Sequence, residues 1–334
     1  MLIYCFSFGN NIKNFESGEV MKLSVAMTTF NGERFIKKQL ESLKNQTRQP
    51  DEVVIFDDGS IDDTVNIVKR FIKKHQLTGW RLFASGDNVG FKRNFCRAVS
   101  KTTGDIIFLC DQDDVWKPYK LEVMSKLMEK HPEILALGTA VELIDASGRK
   151  LPESKTMCNR IGAEIIGSAP VKLIAPQIAG GNLFPGCTMA FSSKIKGIYL
   201  EEAPCMLCHD YLINIIAALK NGLYYINIAL TQYRIHSGNV IGISGEGRRP
   251  LKSERINESV QIVRLIRKHT KSLRGDSELL KMLILHLARA GLLKKFSIKK
   301  LLFLSRQACE ARRYYPSSRF LADICYGMGL ERIF

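Results

Sequence analysis

Short apolar runs alternate with amphipathic stretches through the first 130 or so residues of the chain. Leu23–Thr29 (LSVAMTT) is apolar and β-branched, which predicts a buried strand. Phe30-Asn31-Gly32 reads as a turn. From Glu33 to Asn45 the apolar residues Phe35, Ile36, Leu40 and Leu43 recur at helical spacing, and Pro50-Asp51 closes the segment. Glu52–Phe56 (EVVIF) predicts a second strand and Asp62–Lys74 a second helix with Val65, Ile67, Val68, Phe71 and Ile72 inward. Arg81–Ala84 reads as a third strand, Phe91–Ser100 as a third helix, and Asp105–Cys110 (DIIFLC) as a fourth strand. Repeated strand–helix alternation predicts an α/β fold with a mostly parallel sheet, whose chemistry gathers at the carboxyl ends of the strands.

Beyond Pro118 the pattern loosens. Lys120–Lys130 predicts a helix stopped by Pro132, and Ile134–Ile144 an extended segment. Residues 150–180 mix Pro, Gly and Ser and give no assignment. Cys187–Ser192 reads as a strand, His209–Lys220 as a helix ended by Asn221-Gly222, and Leu223–Leu230 as a further strand. The Gly- and Arg-rich stretch Gly242–Pro250 marks a boundary. After it the chain reads as helical, with Ile256, Val260, Val263 and Ile266 on one face. Leu279–Leu293 is apolar nearly all round, hence buried or facing a membrane. Lys294, Lys295, Lys299 and Lys300 then flank Phe296, Ile298, Leu301 and Leu302. The expected organisation is an extension at 1–20 with little commitment to structure, an α/β domain at 21–242, and a basic helical region at 243–334.

Charge adds to this picture. The net charge is +16 over 334 residues, and from Leu251 onward there are 18 basic against 7 acidic residues. Such a tail seeks an anionic surface, lipid headgroups or nucleic acid, unless it is the solvated face of packed helices. The nine cysteines are irregularly spaced, and Cys96, Cys110, Cys187 and Cys325 lie in apolar runs, which predicts reduced thiols in a cytoplasmic protein. Cys205-Met-Leu-Cys208 lacks the second pair a zinc site would use. Leu2–Phe8 is too short to span a bilayer.

Against the basic background, two strand ends carry acids. Asp57-Asp58 follows the second strand and Asp111-Gln112-Asp113-Asp114 the fourth. Like charges so close make each other harder to ionise, so a counter-charge is expected. Mg2+ or Mn2+ fits, because these ions prefer oxygen ligands and share them with substrate phosphates. Alternation along an extended turn puts Asp111 and Asp113 on one face.

The strings SVAMTTFNGERFIKKQLESLKNQTRQPDEVVIFDDGSIDDT, DNVGFKRNF and GDIIFLCDQDDVWKP, in this order, resemble family 2 glycosyltransferases of the inverting GT-A fold. They are similar in particular to the bacterial polysaccharide branch that includes rhamnosyltransferases. The likeness covers about Leu23–His236 and leaves out the basic tail. It implies that Thr28, Phe30 and Glu33 border a nucleobase pocket, that Asp57 or Asp58 meets base or ribose, and that Ser60 belongs to the same loop. It places Arg93 near the nucleotide. Asp111 and Asp113 match the family's DxD, with ribose at the former and metal at the latter, and Asp114 reaches toward donor sugar or acceptor. Asp210 stands where the family carries its general base, with His209 replacing the commoner Glu. The stretch Tyr233-Arg234-Ile235-His236 is similar to one that closes over the diphosphate, with Arg234 as a phosphate clamp and His236 as a further metal ligand.

The implied activity is transfer from dTDP-rhamnose or a UDP-hexose to a carbohydrate acceptor. The acceptor would be lipid-linked and held at the inner face of the cell membrane, which the basic tail would contact. Two rivals stand beside it. A haloacid-type phosphatase also uses DxD, but on its first strand. A basic nucleic-acid-binding protein would suit the tail, yet no zinc or helix-turn-helix signature accompanies it, so nucleic acid is not an expected partner. A dehydrogenase is disfavoured because no GxGxxG follows the first strand.

Overall fold

The computed structural model describes residues 20–84, 86–152, 169–178, 181–205, 207–239, 251–270, 277–310 and 317–328. Its first half alternates β1 (Leu23–Thr29), α1 (Ile36–Lys44), β2 (Glu52–Asp57), α2 (Thr64–Lys74), β3 (Trp80–Ala84), α3 (Phe91–Ser100) and β4 (Ile106–Cys110). Then come β5 (Val115–Trp116), α4 (Lys120–Lys130), β6 (Ala136–Ile144), β7 (Val171–Lys172), β8 (Ala190–Ser192), α5 (Lys196–Glu202), α6 (His209–Leu219) and β9 (Leu223–Arg234). Four helices follow: α7 (Lys252–His269), α8 (Ser277–Lys294), α9 (Ile298–Glu310) and α10 (Ser317–Met328).

The sheet runs β3-β2-β1-β4-β8-β6-β9-β5, with β7 also on β9. β3, β2, β1 and β4 are parallel neighbours. β8 joins β4 to β6 by short antiparallel ladders, and β6 pairs β9 in parallel. The chain reverses its direction of winding at β1, so the loops after β1 and β4 diverge and leave a crevice at their carboxyl ends. Register aligns that rim: Thr29 pairs with Asp57, and Met27 with Cys110, the residue before Asp111.

The period of two along each strand builds the two layers. Leu23, Val25 and Met27 of β1, with Ile106, Phe108 and Cys110 of β4, pack under α1, α2 and α4. Ala26, Ile107 and Leu109 face the other way, with Phe95, Ala98 and Val99 of α3 and Ile213, Ile216 and Ala217 of α6. The helices after residue 251 contribute to this second layer: Ile262, Val263, Ile266, Met282, Leu285 and Leu292 belong to the same buried cluster. Ion pairs brace them. Asp323, with no exposed side-chain surface, meets Arg255 at 2.9 Å and Arg289 at 2.7 Å. Removing one partner of such a buried pair costs about 3–5 kcal/mol.

Several expectations are corrected. Cys187 is not in a strand: Gly186–Thr188 forms a short 3₁₀ turn, and the strand begins at Ala190. β9 runs on past Leu230 to Arg234, because Tyr233 and Arg234 pair with Leu143 and Ile144. Of the face read as Ile256, Val260, Val263 and Ile266, Val263 and Ile266 are buried and Val260 is exposed, while Ile262 and Leu265 join the buried side. α1 starts at Ile36, since Asn31 adopts a left-handed turn (φ 48) that delays helix entry. The extension before Val20 and the stretch 242–250 lie outside the described residues. Between Thr139 and Val141 the β6–β9 register shifts: Thr139 pairs with Ile226, Ala140 with Ala229, and Val141 with Thr231. β9 therefore bulges across three additional residues.

Candidate active site

Four segments meet at the crevice: the loop after β1, the Asp57–Ser60 turn after β2, the acidic loop after β4, and the end of β9. The first three are stitched together. Gln112 clamps the backbone of Phe30 twice, its Oε1 accepting from Phe30 N at 2.8 Å and its Nε2 donating to Phe30 O at 2.9 Å. A Cβ on Gly32 would stand 2.2 Å from that Oε1, so any larger residue there would push the Gln112 amide off Phe30. Asn31 N donates to Ser60 Oγ at 2.8 Å.

Both oxygens of each acid in the β2 turn accept a hydrogen bond. Asp57 accepts from Thr29 Oγ1 at 2.7 Å and from Ser60 Oγ and N at 2.6 and 2.8 Å. Asp58 accepts from Val89 N at 2.9 Å and Gly90 N at 2.8 Å, pinning the entry to α3, where Gly90 holds φ 84. Glu33 accepts from Asp63 N at 3.0 Å, which turns its carboxylate toward the start of α2. Thr28 is buried at the end of β1, Phe30 is partly exposed, and Arg93 is exposed on α3. Its neighbour Asn94 ties α3 to β2 by donating to Phe56 O at 2.8 Å.

The acidic loop differs. Asp113 Oδ2 meets His236 Nε2 at 2.8 Å, and both side chains retain some exposure. His236 Nδ1 accepts from Gly238 N at 3.1 Å, which assigns the neutral ring's proton to Nε2. Asp114 accepts from Arg234 N at 3.0 Å, while its Oδ2, beside the Cys187 thiol, has no nitrogen or oxygen partner. Burial, reinforced by Asp113, pushes the Asp114 carboxyl up to about 7. Burial together with Asp114, Asp113 and Asp210 pushes Asp111 well above the usual carboxylate range. Cys187, whose thiol lies within 4.8 Å of carboxylate oxygens of Asp111 and Asp114, follows the Gly186 that Asp210 binds, which brings Asp210 to the same loop. Asp210, in the first turn of α6, accepts from Gly186 N at 3.1 Å and Tyr211 N at 2.7 Å. The preceding His209 stacks on Phe95 with ring centroids 3.9 Å apart. The helix's N-cap is Cys208, so Asp210 is not the capping residue.

Arg234 sits where the phosphate clamp was expected but is buried and otherwise occupied. Its Nε donates to Asp113 O at 2.7 Å and its Nη1 to Asp145 O at 3.0 Å, and its guanidinium lies over Phe35. Two N–H groups on one open edge are what bidentate phosphate binding uses. Here Arg234 braces the acidic loop from below.

A second cation was not expected from the sequence. Lys120 is fully buried, donates to Cys187 O and, at 2.9 Å, to Thr231 Oγ1, and lies 3.7 Å above the Trp116 ring. Burial lowers its ammonium to about 8, against the pull of Cys187, Cys110, Asp114 and Asp111. Lys120 and Arg234 are thus the fixed part of the counter-charge. The remainder fits a hard divalent cation: carboxylates in excess, an orphan oxygen on Asp114, and a carboxylate–imidazole pair facing the crevice.

Comparison with known proteins bears on the family and the fold. Residues 24–189 match the family Glycosyl transferase family 2, over both acid-bearing loops. An uncharacterized glycosyltransferase of Nostoc sp. is 22% identical over 224 residues, 66% of each chain. The poly(ribitol-phosphate) beta-N-acetylglucosaminyltransferase TarS of Staphylococcus aureus is 29% identical over 62% of this chain and 35% of its own. Two mycobacterial relatives are covered over 37% of their length, so the chain spans only part of the curated relatives it matches. Among solved structures, S. aureus TarS 1–349 in complex with UDP-GlcNAc superposes with TM-score 0.60 at 17% identity, over 93% of this chain and 90% of that one. The mannosyltransferase PcManGT from Pyrobaculum calidifontis, in complex with GDP-Man and Mn2+, gives 0.51 at 17% identity, over 93% and 87%. The chain belongs to the family 2 glycosyltransferases and has their GT-A fold.

Proposed function

We propose that this chain transfers a sugar, with inversion, from a nucleoside-diphosphate donor to a hydroxyl of a carbohydrate acceptor. The observation that carries the reading is the gathering of Asp111, Asp113 and His236 around the loop after β4, with Asp210 bonded to the Gly186 that adjoins Cys187 beside Asp111, in a family 2 domain. Asp113 and His236 would hold a divalent cation, Mg2+ or Mn2+, which would offset charge on the leaving diphosphate. For Nε2 to ligate, the proton must move to Nδ1 and the Gly238 contact must open.

Thr28, Phe30 and Glu33 border the base, with Asp57, Asp58 and Ser60 shaping the turn beneath it. Asp111 meets the ribose, Asp114 the sugar or acceptor, and Arg93 contributes positive charge from α3. Asp210 takes the proton of the acceptor hydroxyl. That oxygen forms the new bond to the anomeric carbon as the bond to the diphosphate oxygen breaks, and the leaving group keeps the electron pair. Attack opposite the leaving group inverts the centre. The neighbours support a nucleotide-sugar donor, since TarS and PcManGT hold UDP-GlcNAc and GDP-Man. Which donor this chain uses, dTDP-rhamnose or a UDP-hexose, follows from thermal-shift screening of each with and without Mn2+. The acceptor we assign is a lipid-linked oligosaccharide of cell-surface polysaccharide synthesis, reached from the cytoplasmic face of the membrane.

The decisive variant is Asp210→Asn. Turnover falls about 10²–10⁴-fold, the span of a lost general base, while stabilisation by the donor is unchanged. Full turnover in that variant removes Asp210 from the chemistry.

A further inference from the structure

The helices beyond residue 251 use their apolar residues in two ways. α7 and α8 bury most of theirs, leaving Val260, Leu280 and Leu287 outward as isolated residues. Among the described positions of α9, Leu304 is buried and Leu301 half-buried on one side, while Ile298, Leu302 and Phe303 are 70%, 64% and 50% exposed on the other. At 100° per residue the exposed positions Ile298, Leu302, Lys299 and Phe303 fall within an arc of roughly 140°, which between residues 298 and 306 also takes in the exposed Arg306 and holds no acid; Glu310 in the last turn is the one acid of the helix. Lys294 and Lys295, exposed at the end of α8, extend the basic margin across the α8–α9 corner. Lys300 is turned inward, its Nζ donating to Gly291 O at 2.9 Å and Lys295 O at 3.0 Å, which fixes the corner between the helices.

We propose that this outward arc of α9, with the lysines at its corner, is a docking face for an anionic lipid surface. The apolar and cationic parts each restrict the occupant. Large exposed aliphatic and aromatic side chains gain nothing from a phosphodiester backbone, whose recognition is electrostatic. A second copy of the chain would bring its own charge of +16 against the same basic margin. A leaflet of anionic lipids satisfies both parts, taking the side chains at the headgroup boundary and the lysines at the phosphates. No helix among the described residues is long and apolar enough to cross a membrane, so such attachment is peripheral. The inference deepens the proposed lipid-linked acceptor and rests on that reading for its purpose, though its observable is independent of catalysis.

The test is sedimentation of the full chain with phosphatidylcholine vesicles and with vesicles containing about one-third phosphatidylglycerol, at low and high salt. Binding is expected to the anionic vesicles and to weaken with salt. Lys294→Gln, Lys295→Gln and Lys299→Gln together should lower partitioning about a hundredfold, at roughly a fivefold loss for each charge. Leu302→Ser with Phe303→Ser should lower it at least about tenfold. Both sets are surface changes, and donor-induced thermal stabilisation verifies that each variant is folded. Failure of the wild type to bind anionic vesicles overturns the proposal. So does equal binding to neutral vesicles, retention on duplex DNA abolished by the same lysine changes, or a dimer in solution that Leu302→Ser and Phe303→Ser dissolve. If vesicles bind but no nucleotide sugar stabilises the protein, the docking face stands and the catalytic reading fails.

Discussion

Asp57-Asp58 and Asp111-Asp113-Asp114 lie at the ends of β2 and β4, the two strands that flank β1, and in the sequence they look like the same device. Their surroundings are unlike. The first pair receives five short hydrogen bonds from hydroxyls and backbone N–H groups of its own rim. The second group crowds three carboxyls near two buried cations and leaves one oxygen with only a thiol beside it. A carboxylate saturated by neutral donors builds a turn. Carboxylates that outnumber their donors hold an unmet demand for positive charge, and that demand is what a metal and a diphosphate can meet. The contrast lies in the donor count, not in the acids.

The sharpest way to break the comparison is a pair of variants. Asp113→Ala should reduce transfer by about 10³-fold or more with the fold intact, as expected when a group stabilising developing charge is removed. Asp57→Asn should instead cost about 2 kcal/mol of stability, the worth of hydrogen bonds to a charged acceptor, with a smaller loss of rate. Chemical denaturation and a donor-turnover assay on both proteins check this. Equal loss of stability at the two sites would erase the distinction.

Lys120→Met probes the fixed half of the counter-charge. It leaves Asp111, Asp114 and the Thr231 hydroxyl without their cation and should destabilise by about 3 kcal/mol. The penalty should shrink in acid, where the carboxyls are protonated, and an unchanged melting temperature at neutral pH would show that Lys120 does not compensate the loop.

The most gradual effect is a pH slope. Asp114 titrates at about 7 in the fold against an ordinary 3.8, so between those values the folded state holds a proton that the unfolded chain has released. Stability of chelator-treated protein should therefore fall as pH rises from about 4 to about 7 and flatten above. Mn2+ should reduce the slope by favouring the ionised carboxylates. Melting temperatures across that range, with and without metal, read it directly.

How far the sequence could be read follows from the range of the interactions. α3 and α4 occur where their apolar spacing predicts, and β1 and β4 within a residue, because local period and burial agree there. The 3₁₀ turn at Gly186–Thr188 was hidden, since CTMAF has strand composition and only its packing against β4 and β9 decides the backbone. At the site, the string DQDD and the later His236 were legible by resemblance. Lys120 and Gln112 were not. Lys120 reads as one more lysine at the start of a helix until Thr231, 111 residues away, is folded beside it. Gln112 reads as the filler between two acids until Phe30, 82 residues earlier, turns back onto it. The buried role of Arg234 escaped for the same reason.

The bulge in β9 carries a consequence of parity. Side chains on a strand alternate, so an even insertion leaves both faces as they were and an odd one exchanges them. Three surplus residues separate the Ile226 pairing from the Thr231 pairing. In an unbroken ladder Thr231 would turn away from Lys120, and Arg234 away from the acidic loop. The length of the segment 227–230, more than its side chains, therefore decides which half of the strand serves chemistry and which half serves packing.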